Sequence, residues 1–126
     1  KDWEQHSIDL LDAVGIVERA DDLPATFSRG LKQKAAIAMA FVRPFDVMVV
    51  DEPFVGLDRT GRAALLDLFQ SAHADGATLI IATHELNSVS DSERLICLNS
   101  GVVTFDGPAN EADVNALTEG FRSDND

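Results

Sequence analysis

The chain has 126 residues, 45% of them hydrophobic and 25% charged, enough for one modest globular domain. A formal net charge of −12 argues against a general nucleic-acid surface, which needs a basic footprint, and against docking on acidic lipid. A single cysteine, Cys97, excludes an internal disulfide and a cysteine-based metal site, and fits a reducing compartment.

No apolar run approaches the roughly 20 residues of a membrane-spanning helix. The opening KDWEQHSIDL carries no signal-peptide core. It has no Met and runs directly into a helical pattern, so the chain is expected to be a piece of something longer. DWEQHSIDLLDAVGI places Trp3, Ile8, Leu11 and Ile16 near helical spacing, with Gly15 suited to the helix end. ERADDLPATFSRG reads as a polar loop. LKQKAAIAMAFVR, residues 31–43, is rich in helix formers and predicts a largely buried helix with a basic first turn, closed by Pro44.

DVMVV is a short continuous apolar run, the pattern of a strand buried on both faces. RTGRAALLDLFQSAHADG predicts a second amphipathic helix ending near Gly76, and ATLIIAT a second buried strand. HELNSVSDS predicts a short helix or turn. RLICLNSGVVTFDG reads as two strands around the turn Asn99-Ser100-Gly101, and PANEADVNALTEGF as a final acidic helix before a fraying RSDND. This alternation of strand and helix is the rhythm of an α/β fold with a parallel sheet, whose ligands bind at the carboxyl ends of strands. Asp51-Glu52 and Thr83-His84 each sit at such an end.

Asp51 and Glu52, taken alone, read equally well as solvated acids at the start of the next helix. Their chemical reading is a site where Asp51 holds Mg²⁺ and the neighbouring carboxylate orients or deprotonates an attacking water. Adjacent acids repel unless a cation or hydrogen bonds compensate, so a metal-bound polyphosphate would explain the pair. In TFSRGLKQK, Ser28 and Gly30 precede a helix start bearing Lys32 and Lys34, with Arg29 adding local positive charge. Helix N-termini suit phosphate oxygens, although Ser28 is also an ordinary N-cap residue. His84 lies at the same sheet edge as the acids, and Asp58 is by itself a plausible helix cap.

In this order and spacing the motifs resemble the C-terminal portion of the ATPase (nucleotide-binding) domain of ABC transporters, over about Trp3 to Pro108. FSRGL resembles the signature that the family writes Leu-Ser-Gly-Gly-Gln, VMVVDEP the Walker B strand with its glutamate, GLD the D-loop, and ATHE the switch histidine. Arg29 replaces the first signature glycine and Leu31 the glutamine. Val55 stands where a small polar residue is common, and Pro44 lies one residue earlier than usual. The Ser-Arg-Gly signature is similar to that of bacterial export-type ATPases.

The resemblance implies that Asp51 holds Mg²⁺ and Glu52 polarises the hydrolytic water. It implies that His84 contacts the γ-phosphate and that Asp58 crosses to a partner subunit. Ser28 and Gly30 would meet the γ-phosphate of an ATP held by that second ATPase subunit, with Arg29 beside them among the nucleotide-binding residues. The expected fold is α/β: a partial P-loop NTPase domain, three-layered with a mostly parallel sheet, lacking the P-loop strand. Residues 1–44 would close the helical subdomain, 45–110 form the core strands, and 111–126 an acidic C-terminal helix and tail. The whole protein is expected to be an ATPase that powers export, cytoplasmic and peripheral on the inner face of the membrane through transmembrane permease subunits, with no nucleic-acid partner.

No G-x-x-x-x-G-K-[ST] pattern occurs, so the loop that cradles the β- and γ-phosphates is not in this sequence. The chain alone is therefore expected to be inactive. In the family the P-loop strand lies between TLIIAT and RLICL, so those two edges are expected to self-associate or rearrange locally. Two other readings compete. A non-catalytic module using the signature surface leaves Glu52 and His84 without purpose. An unrelated metal-dependent phosphatase leaves the signature unexplained.

Overall fold

The computed structural model describes residues 3–85, 90–113 and 116–117. Its contacts divide the chain into two units, Lys1–Thr83 and His84–Asp126.

The first unit runs α1 (Trp3–Ala13), α2 (Arg29–Phe41), β1 (Val47–Asp51), α3 (Arg59–Ala74) and β2 (Thr78–Ala82). The polar loop before α2 holds two single 3₁₀ turns, Val17–Arg19 and Pro24–Thr26. Short-range chemistry sets the helix starts. The Ser28 hydroxyl accepts from the Leu31 N–H at 3.3 Å, and the Asp58 carboxylate accepts from the Gly61 N–H at 2.7 Å, so each fills an orphan donor of a first turn. With Ser28 as its cap, α2 begins two residues before the expected start.

β1 and β2 pair in parallel, with Val47 opposite Thr78, Val49 opposite Ile80 and Asp51 opposite Ala82. The crossover is α3, as a parallel pair requires. The core lies on one face of this pair. Met48 is buried, and Phe54, Leu65 and Phe69 pack there with Ile37 and Ala38 of α2. Phe41 stacks edge-on to Phe45 at 5.7 Å and lies 5.9 Å from Phe69, which in turn meets Phe54 at 6.4 Å, so an aromatic row ties α2 to α3 and to the loop after β1. Leu10, Val14 and Ile16 fill the start of the chain.

Three expectations about burial are corrected here. β1 and β2 are buried on one face only: Val49 is 70% exposed and its partner Ile80 54%. α2 is only partly buried, with Ile37 and Ala38 inside and Met39 76% exposed. On α1 the inward side is Leu10, not Trp3 or Ile8, since the packed line runs through Ser7, Leu10 and Val14.

The second unit is the antiparallel hairpin β3 (Arg94–Asn99) and β4 (Val102–Pro108). Ser100 and Gly101 both have positive φ, +48° and +79°, the geometry that a two-residue hairpin turn needs. Arg94 clamps Asp106 with two bonds of 2.8 and 2.9 Å, and Cys97 is buried. Among the described residues β1–β2 and β3–β4 form two separate two-stranded sheets. The expected turn at HELNSVSDS falls partly on residues 86–89, outside the described residues. The final acidic helix, expected over residues 108–121, falls partly outside them too; a 3₁₀ turn, Ala109–Glu111, opens that segment and residues 116–117 are helical.

Candidate active site

The site is built around the loop that leaves β1. Asp51 closes the strand, is exposed, and pairs with Ala82 at the carboxyl end of β2. Glu52 takes φ +48°, the left-handed region that costs a non-glycine residue on the order of 1–2 kcal/mol. Its N–H donates to the Ala82 carbonyl at 2.7 Å, and its Oε2 accepts from the Thr83 hydroxyl at 3.3 Å. The backbone of Glu52 is thus pinned to β2, and its carboxylate is aimed back along the strand ends rather than into solvent at random.

Pro53 and Phe54 are buried next. Phe54 is 1% exposed, with the Arg62 guanidinium 5.4 Å from its ring centroid. Gly56, at φ +80°, reverses the chain towards Asp58. The first turn of α2 packs on this loop. A Cβ on Gly30 would come within 3.1 Å of the Gly56 carbonyl oxygen, and the Arg29 side chain lies beside Gly56. The Gln33 side-chain amide donates to the Pro53 carbonyl at 2.8 Å, and Lys34 Nζ stands 3.5 Å from Asp58 Oδ1.

Ser28, Arg29, Gly30, Asp51, Glu52 and Asp58 therefore all belong to the first unit, and the structure brings the start of α2 together with the 52–58 loop. His84 is the first residue of the second unit and follows Thr83 directly. Sequence reasoning missed Gln33 and Thr83 as partners of this loop. Thr83 had a signal, a hydroxyl at a strand end beside an acid; Gln33 had none, because its partner is 20 residues away.

Asp58 is held below the usual carboxylate range, first by the Gly61 N–H and then by the positive charge of Lys34. Its folded value lies under the ordinary 3.8, so its charge stabilises the fold fully above that pH and the contribution fades as pH falls through the folded value. Asp58→Asn keeps the cap and loses the charge. Its melting temperature is expected to trail that of the wild type at neutral pH and to draw level on acidification below 3.8; an undiminished gap in strong acid would contradict this origin of the stabilisation.

Among the described residues no cluster of three or more His, Cys, Asp or Glu side chains is placed to cage a metal. Mg²⁺ takes one or two carboxylates and fills its remaining positions with water and substrate phosphates. Asp51, exposed at the strand end, offers one such carboxylate.

A structure described as the ATP binding subunit of an ABC transporter superposes with a TM-score of 0.83 and 28% identity, over 95% of this chain and 54% of that one. The octopine permease ATP-binding protein P of Rhizobium radiobacter is 38% identical over 90% of this chain and 44% of its own length. The chain belongs to the ABC transporter ATP-binding family. Its similarity extends to a macrolide export ATP-binding/permease protein MacB of Rhodopseudomonas palustris (strain BisB18), 39% identical over 77% of this chain and 15% of that protein. Residues 8–90 also match the family described as "AAA domain, putative AbiEii toxin, Type IV TA system". The chain spans less than half the length of the octopine relative, and it is a C-terminal portion of an ABC ATP-binding domain, an α/β partial P-loop NTPase fold.

Proposed function

We propose that the complete subunit carrying this sequence hydrolyses ATP to drive export through transmembrane permease subunits, paired with a second ATP-binding subunit. The observation that carries the reading is Glu52: a carboxylate at a strand end, held in a left-handed backbone by Ala82 and oriented by Thr83. Strain retained at one acidic residue is expected of a group with a chemical task, and a module used only for interaction has no need of it.

In this reading Asp51 would hold Mg²⁺, and the ion would supply charge neutralisation to the phosphates. Glu52 takes a proton from water as its oxygen bonds to the γ-phosphorus. The bridging P–O bond breaks, and its electron pair leaves with ADP. His84 contacts the γ-phosphate. Ser28 and Gly30 present the start of α2 to the ATP of the partner subunit, where helix N–H groups and partial positive charge favour phosphate oxygens. Arg29 adds a cation at the same place, and Asp58 lies on the surface facing the partner. The export direction rests on the Ser-Arg-Gly signature and the similarity to macrolide exporters. Attachment to permease subunits places the protein on the cytoplasmic face of a membrane; no helix among the described residues is long and apolar enough to cross one itself. The 126-residue chain alone is expected to be inactive, and the edges of β2 and β3, which no further strand pairs among the described residues, to self-associate or rearrange locally. Mg-ATP turnover of the complete subunit, with and without Glu52→Gln, is the experiment that tests the proposal.

A further inference from the structure

We infer that Gln33 is a positioning residue for Glu52, acting through the hydrogen bond its side-chain amide donates to the Pro53 carbonyl. The inference rests on the reading of Glu52 as the base. Glu52 occupies a left-handed backbone directly before a proline, whose ring already narrows the conformations open to the preceding residue. Such a conformation persists only when its surroundings over-determine it. On the N-terminal side the Glu52 N–H is tied to Ala82, at 2.7 Å. On the C-terminal side the next carbonyl, that of buried Pro53, is tied to α2 by Gln33 at 2.8 Å. The Pro53 ring fixes its own φ, so anchoring its carbonyl restrains Pro53 ψ, the torsion that leads into buried Phe54.

Gln33 also lies one turn into the helix that begins at Ser28, Arg29 and Gly30. The close approach of Gly30 to the Gly56 carbonyl and the pairing of Lys34 with Asp58 run alongside its bond. The first two turns of α2 and the 52–58 loop are therefore one body. A displacement of the helix start, which the proposed function places against a partner's ATP, is transmitted to Glu52 through Gln33.

The test uses the complete subunit with Gln33→Met, which keeps the length and removes the donor, and Gln33→Lys, which keeps a donor. Loss of one neutral hydrogen bond from a positioning shell is expected to lower kcat for Mg-ATP about tenfold in Gln33→Met, with KM within about twofold of wild type. Gln33→Lys is expected to recover to within about threefold. In a Glu52→Gln background, Gln33→Met should have no further effect. A role in packing alone would give the opposite order, with Met tolerated and Lys damaging. Wild-type kcat in Gln33→Met, a loss confined to KM, or Lys no better than Met would overturn the inference while leaving Glu52 as the base. Undiminished turnover in Glu52→Gln itself would overturn both.

Discussion

Glu52→Gln in the complete subunit is expected to reduce Mg-ATP turnover by about 100- to 10,000-fold, the range for removing a positioned general base, with nucleotide binding retained. Glutamine keeps the shape and can still engage the Thr83 hydroxyl, so the backbone that Ala82 pins should be unchanged. What is lost is the capacity to accept a proton from water. The same change removes one of two adjacent negative charges beside the proposed triphosphate, so Mg-ATP affinity should hold or rise. Turnover by phosphate release and affinity by calorimetry separate the two effects. Equal turnover would mean that Glu52 is a structural acid.

Phe54→Ala is expected to be the most damaging single change to the fold of the first unit, at about 3–5 kcal/mol. Phe54 is 1% exposed, meets Phe69 edge to face and carries the Arg62 guanidinium on its ring. It is also the residue that drops the 52–58 loop into the core. Truncation leaves a cavity between α3 and the loop and frees the segment that holds Glu52. Against a typical total of about 5–15 kcal/mol, that is a large fraction of stability. Urea denaturation of the complete subunit checks it, with Phe54→Leu as the smaller loss; a cost below about 1 kcal/mol would show that the loop is held by its hydrogen bonds instead.

The parts legible in the sequence are those set by neighbours in the chain. Ser28 and Asp58 announce helix starts because a cap acts over three residues, and the structure has both bonds. The strand running into Asp51-Glu52 and the hairpin turn at Ser100-Gly101 are equally local. Burial was not legible in the same way. Val49 and Ile80 have the composition of core residues, yet which face of a strand pair is covered depends on elements far along the chain. The left-handed turn at Glu52 is also hidden, since nothing in Asp-Glu-Pro demands positive φ before a proline. The bond from Gln33 to Pro53 crosses between elements that only the fold brings together, and Gln33 in Lys-Gln-Lys looks like any polar helix residue.

In the proposed function the start of α2 and Glu52 serve ATP sites shared between two subunits. Light scattering on the complete Glu52→Gln subunit, with Mg-ATP and then with Ser28→Arg added, tests it most directly. Slow turnover should let Mg-ATP drive the Glu52→Gln protein into a stable dimer, and the bulky Ser28→Arg change at the helix start should return it to monomer while each subunit still binds nucleotide. A dimer that forms equally well with Ser28→Arg, or no ATP-dependent dimer in either protein, would contradict the account.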